Sequence, residues 1–176
     1  MQAKKNRATL TMLSVAVLVV VADQAIKYWV RHNLPLNQDV ALIPWLDRLF
    51  TFTYVRNFGA SFGILQGSGR LFVVISAMVI ALILYYSRTL RNPPRFLVTA
   101  LGLQLGGAFS NNLIDRLFLG YVVDYINFRW WPVWNLADAS IVIGTGLLLI
   151  FVLFFDRPAP DNEPAESSPD VSPDGA

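Results

Sequence analysis

Every carboxylate between Met1 and Phe155 is an aspartate: Asp23, Asp39, Asp47, Asp115, Asp124 and Asp138. Asp23, Asp124 and Asp138 stand just inside or at the edge of long apolar runs, and Asp115 ends another. Burying an aspartate charge in hydrocarbon costs several kcal/mol, so one kept there usually serves a polar cavity. The chain has no cysteine, and its one histidine, His32, lies in an Arg-His-Asn run facing solvent. That histidine and scattered aspartates give no zinc-ligand spacing. They also leave a serine–histidine mechanism without a credible base, and no serine stands in an evident elbow to work with Lys27. What remains for hydrolysis is a carboxylate pair. One ionised member takes a proton from water, and one protonated member donates to the carbonyl oxygen or leaving nitrogen.

Asp124 is flanked strictly by apolar residues in Tyr121-Val122-Val123-Asp124-Tyr125-Ile126. Burial there predicts a raised pKa, because desolvation disfavours the charged form. Asn135 is a good N-cap, and Asp138 then falls at the third helical position, where the dipole favours an ionised acid. Capping alone would account for that pair. Asp23 and Lys27, four apart on a helix, share a face and can pair; structural pairing is the larger expectation for both. Asn112 and Asp115, three apart beside Arg116, are expected to face one way. They form either a polar network or a helix end solvated by headgroups.

The elements that must position these groups are membrane helices. Apolar residues make up 55% of the chain, charged residues 15%, and mean hydropathy is +0.48. Four stretches, about 8–30, 71–87, 96–114 and 135–155, approach the roughly 20 residues that span a bilayer. The first follows Lys4, Lys5 and Arg7 like a secretory signal. It ends in Asp23-Gln24 rather than small residues, so a retained helix is expected. Basic residues in the N-terminal segment and around Asn92-Pro93-Pro94 place both termini in the cytoplasm and the loops 31–70 and 115–134 outside. Residues 49–55, LFTFTYV, alternate like a strand and lead into a turn through Asn57 and Gly59. Trp29, Trp45, Trp130, Trp131 and Trp134 fall near the outer interface, where indoles anchor. Residues 158–176 are acidic and rich in proline, a composition expected to be a disordered cytoplasmic tail outside the domain 1–157.

These segments resemble, in order, those of the lipoprotein signal peptidase (signal peptidase II) family. Asp23-Gln24-Ala25-Ile26-Lys27 is similar to D-Q-x-x-K, and Asn57-Phe58-Gly59-Ala60-Ser61-Phe62 to N-x-G-x-x-F. Asn112-Leu113-Ile114-Asp115-Arg116 is similar to N-x-x-D-R, Val122-Val123-Asp124-Tyr125 to V-V-D-F, and Asn135-Leu136-Ala137-Asp138 to N-x-A-D. The resemblance covers about residues 10–155. It implies an all-α membrane protein of four transmembrane helices with a small extracytoplasmic β-cradle. It also implies a monomeric aspartic endopeptidase of the bacterial inner membrane, with its active site towards the outer face. The substrate implied is a prolipoprotein, cut before its diacylglyceryl-modified cysteine. Asp124 and Asp138 would be catalytic, and Asp23, Lys27, Asn57, Gly59, Asn112, Asp115, Arg116 and Asn135 would bind substrate or support the site. No cofactor, metal or nucleic acid is implied; membrane lipids are partners, and globomycin-type inhibitors are expected to act. One departure is visible: Gly106-Gly107-Ala108 stands one residue further upstream of N-x-x-D-R than usual, with Asn111 in a place commonly held by glycine. A small transporter or proton-relay subunit would also keep membrane Asp and Lys, but near mid-bilayer, whereas Asp115, Asp124 and Asp138 cluster towards one face. A prepilin-type peptidase would need G-x-G-D, which is absent.

Overall fold

The structure is a computed structural model that describes residues 2–59, 67–90 and 92–155. The expected tail, residues 158–176, and the Ala60-Ser61-Phe62 end of the glycine turn lie outside the described residues.

Helix α1 (Gln2–Asn33) buries Met12, Ala16, Val19, Asp23, Lys27 and Val30. These recur at steps of three and four, so they form one stripe along the helix. The stripe is apolar at both ends and charged in the middle. Helix α3 (Arg95–Ala108) is the central element, with nine residues buried around its circumference. It packs against α1 on one side and α5 (Leu136–Phe154) on the other. Small residues permit this. A Cβ on Gly106 would lie 2.7 Å from the Ala16 carbonyl oxygen, and one on Gly107 2.5 Å from that of Ala137. Helix α2 (Gly69–Thr89) buries only Ser76 and Ile83 and turns most of its apolar surface outward. Such close backbone contact is what joins helices in lipid, where apolar side chains gain little by leaving the hydrocarbon.

The strand expected at 49–55 forms two residues later, as β2 (Thr51–Asn57), the centre of an antiparallel sheet. It is flanked by β1 (Asp39–Val40) and β3 (Val122–Asn127). The register sets Val55 opposite Asp124 and shifts between Phe52 and Val55, an irregularity of the kind a β-bulge makes. Two apolar clusters result. Met12, Ala16, Leu97, Leu101 and Leu105 pack at one end of the bundle, and Val30, Leu34, Tyr54, Val123 and Tyr125 pack under the sheet. The charged part of α1 lies between them. Trp45 and Trp130 are strongly exposed.

Among the described residues, three helices, 6–33, α2 and α5, are long and apolar enough to cross a membrane. The expected span 96–114 takes a different form. Its α-helix ends at Ala108, and a seven-residue π-helical turn (Phe109–Asp115) continues into the short α4 (Arg116–Phe118).

Candidate active site

The first turn of α5 has N–H groups with no partner inside the helix, and each is met by a side chain. Leu136 N donates to Tyr125 Oη at 3.1 Å, Ala137 N to Asp23 Oδ1 at 3.1 Å, and Asp138 N to Asn135 Oδ1 at 2.9 Å. Asn135 N in turn donates to Asp138 Oδ2 at 3.2 Å, which completes a capping box. The expected capping role is therefore real. The same asparagine also donates through Nδ2 to Asp124 Oδ1 at 2.7 Å. Asp124 Oδ2 accepts from Asn57 Nδ2 at 2.9 Å, and Asn57 Oδ1 accepts from Gly59 N, which folds the turn back over the end of β2.

Asp124 is only 2% exposed. Burial first, and then the nearby Asp138 charge, push its pKa up to about 7, against the opposing hydrogen bonds from Asn57 and Asn135. The apolar flanks of Asp124 anticipated this. Asp138, in the first turn of α5, is less enclosed.

Beneath the two aspartates Lys27 is fully engaged. Its Nζ lies 2.7 Å from Asp23 Oδ2 and 2.8 Å from Asp115 Oδ2, and it donates to Asn111 Oδ1. Asp23 Oδ2 also accepts from Ser110 Oγ at 2.6 Å, and Asp115 accepts from Gln24 Nε2 at 2.8 Å and from Val123 N at 3.1 Å. Buried charges paired and hydrogen-bonded in this way escape most of the penalty of isolation. The Asp23–Lys27 pair is as the spacing predicts, but it has a third charged member.

The expectation for Asn112 is corrected. Asn112 and Asp115 do not share a face, because a π-turn carries more residues per turn than the α-helix that a three-residue spacing assumes. Asn111 takes the inward place: its Nδ2 donates to Asp138 Oδ1 at 2.7 Å. Asn112 Oδ1 instead accepts from Arg116 Nε at 2.9 Å. Arg116 also donates through Nη2 to the Gly59 carbonyl and lies over the Phe72 ring, while its buried Nη1 has no hydrogen-bond partner among the described residues. Sequence reasoning missed Asn111, Ser110 and Gln24 as members of this network. The one available signal was the displaced Gly106-Gly107-Ala108, which marks an extra residue in the helix.

The chemistry this permits is narrow: two carboxyls of unlike exposure, linked through one asparagine, above a fixed cation and below a sheet edge. The signal peptidase II family model matches residues 15–154. The lipoprotein signal peptidase of Halothermothrix orenii is 45% identical over 139 residues, 78% of this chain and 92% of that protein. That of Clostridioides difficile is 42% identical over 144 residues, 81% and 94% of the two chains. A solved bacterial membrane enzyme superposes with a TM-score of 0.73 at 32% identity, covering 84% of this chain and 94% of that one. A match of this length, with the aspartates gathered around α5, places the chain in the signal peptidase II family.

Proposed function

We propose that this chain removes signal peptides from prolipoproteins as an aspartic endopeptidase, with Asp124 and Asp138 acting on a water molecule. The observation that carries the reading is the shared asparagine. Asn135 binds Asp124 with its side chain and Asp138 with its backbone and side chain, so both carboxyls are held at one locus. With its pKa near 7, Asp124 is protonated in about half of the molecules at neutral pH, and that form can donate. Asp138 lies in the first turn of α5, where the helix dipole favours a carboxylate, and is less buried than Asp124, which suits removal of a proton from water. Water adds to the scissile carbonyl while Asp138 takes its proton and Asp124 protonates the carbonyl oxygen. Collapse of the tetrahedral intermediate returns that proton to Asp124, and Asp138 delivers its own to the leaving nitrogen. Both carboxyls thus return to their starting states.

The substrate reading is cleavage before a diacylglyceryl-modified cysteine. Its peptide would lie in extended form along the cradle. The acyl chains would stay in the bilayer, where each buried CH₂ is worth about 0.8 kcal/mol. Four membrane crossings fit this reading. Helix α3 has 14 residues and the π-turn seven, close to the roughly 20 that a span needs. Both termini would be cytoplasmic, with the two aspartates near the outer surface. A transporter or relay subunit is not favoured, because Asp115, Asp124 and Asp138 gather at one end of the bundle.

Cleavage of a diacylglyceryl-modified prolipoprotein by the purified protein tests this. Asp124→Asn and Asp138→Asn should each abolish cleavage while the protein stays folded, since an amide of the same shape can neither take nor deliver the proton. Wild-type turnover by either variant would remove the assignment.

A further inference from the structure

We propose that the π-helical turn divides two tasks between adjacent asparagines, making Asn111 the residue that positions Asp138 for the reaction while Asn112 serves the cradle through Arg116. The inference rests on the reading of Asp124 and Asp138 above and adds a residue to it.

Lys27 can only donate, so the side-chain oxygen of Asn111 must face it. The amide nitrogen is then forced to point the other way, towards Asp138 Oδ1, at 2.7 Å. The amide cannot flip without setting N–H against ammonium and oxygen against carboxylate. Asn111 is 4% exposed, and its dipole lies aligned between a buried cation and a half-buried anion. Asp138 is thereby pinned at both oxygens, Oδ1 by Asn111 and Oδ2 by the backbone of Asn135. A carboxylate that can rotate loses its aim at water, and misplacement by about 1 Å can cost roughly a hundredfold in rate. Asn112, one residue on, is bonded instead to Arg116, which reaches the Gly59 carbonyl. In an ordinary α-helix successive side chains also diverge, but a residue three before Asp115 would be the inward one. The widened turn moves that place to Asn111, and π-turns of this kind recur at functional sites.

The full chain in proteoliposomes, cleaving a diacylglyceryl-modified prolipoprotein at neutral pH, separates the two tasks. Asn111→Asp keeps the volume and the acceptor for Lys27 but sets a second acceptor against Asp138. The added charge acts on Asp138 as well, so Asn111→Leu, which fills the space with neither charge nor donor, is the paired variant: a space-filling role keeps its kcat, and the positioning role predicts a fall in kcat of roughly tenfold or more with KM within about twofold in both. Asn112→Ala should do the reverse, raising KM several-fold with kcat within about twofold, because the bond it removes supports the cradle. Thermal unfolding checks that the variants are folded; should Asn111→Asp fail that check, Asn111→Leu carries the kcat test. Wild-type kcat in Asn111→Asp or Asn111→Leu, or a loss of kcat rather than a rise in KM in Asn112→Ala, overturns the proposal. If the wild-type chain itself fails to cleave the prolipoprotein, the functional reading falls instead.

Discussion

Asp124 and Asp138 share one asparagine: Asn135 Nδ2 lies 2.7 Å from Asp124 Oδ1, and Asn135 Oδ1 accepts from the backbone of Asp138 at 2.9 Å. A helix cap and the link between the two aspartates are thus one side chain. The two can be separated. Asn135→Ser keeps a good N-cap, so stability should stay within about 1 kcal/mol of wild type. A serine hydroxyl is too short to serve both aspartates, and cleavage should fall by roughly tenfold or more. Thermal unfolding in detergent beside a cleavage assay reads both; equal losses of stability and activity would make Asn135 a cap only.

Asp124 gives the pH dependence. Its folded pKa, near 7, exceeds the roughly 3.9 of an unfolded aspartate. The native state therefore holds a proton that the unfolded chain has lost. The stability this contributes is full below about pH 4 and is lost as pH rises through about 7. A group that must donate a proton also imposes an alkaline limb on the rate, with a midpoint near 7. Asn57 donates to the carboxylate form, so Asn57→Ala should move that limb to higher pH. A limb that stays in place, or moves down, would count against Asp124 as the donor.

Much of this arrangement was legible because it is local. Asp23 and Lys27 are one helical turn apart, Asn135 and Asp138 carry the spacing of a capping box, and the apolar neighbours of Asp124 foretold its burial. Helical periodicity carries such information directly. The inward turn of Asn111 was not legible from local spacing: the displaced Gly106-Gly107-Ala108 marks an extra residue, but nothing in Phe109-Ser110-Asn111-Asn112 says which side chain it turns inward. Only its packing, with Gly106 and Gly107 clamped against α1 and α5 and Asp115 held by Lys27, makes the extra residue bulge where it does. The convergence of Gln24 and Ser110 on the same charges is likewise a tertiary fact. It joins positions 86 residues apart that no sequence pattern links.

The glycine contact at the base of α5 should be intolerant. A Cβ on Gly107 would meet the Ala137 carbonyl at 2.5 Å and Ile141 Cγ1 at 2.7 Å, one residue from Asp138. Backbone must move to admit it, which costs about 1–3 kcal/mol and carries Asp138 off its partners. Gly146 on the same helix meets nothing within 4 Å. Gly107→Ala should lower the unfolding temperature and the cleavage rate together, and Gly146→Ala should change neither. Tolerance of alanine at 107 would mean that α3 and α5 pack less closely than described.

Lys27 offers the sharpest test of the buried charges. Its ammonium balances two carboxylates that are both fully buried, at 2.7 Å and 2.8 Å. Lys27→Met keeps the stem but leaves Asp23 and Asp115 facing each other without a cation. Removing one partner of a buried pair costs about 3–5 kcal/mol, because the survivors keep the desolvation penalty and lose the attraction. Asp115→Asn differs in sign of charge: it leaves a neutral Lys27–Asp23 pair and retains an oxygen for Val123 N. It should therefore destabilise less than Lys27→Met, although one variant removes a cation and the other an anion from the same cluster. The double variant Lys27→Met with Asp115→Asn should recover part of the loss of Lys27→Met, since it removes one of the stranded charges. Unfolding of the four proteins in one detergent gives the coupling directly. Additive losses, or an Asp115→Asn as damaging as Lys27→Met, would mean that the cation is balanced by something other than these two aspartates.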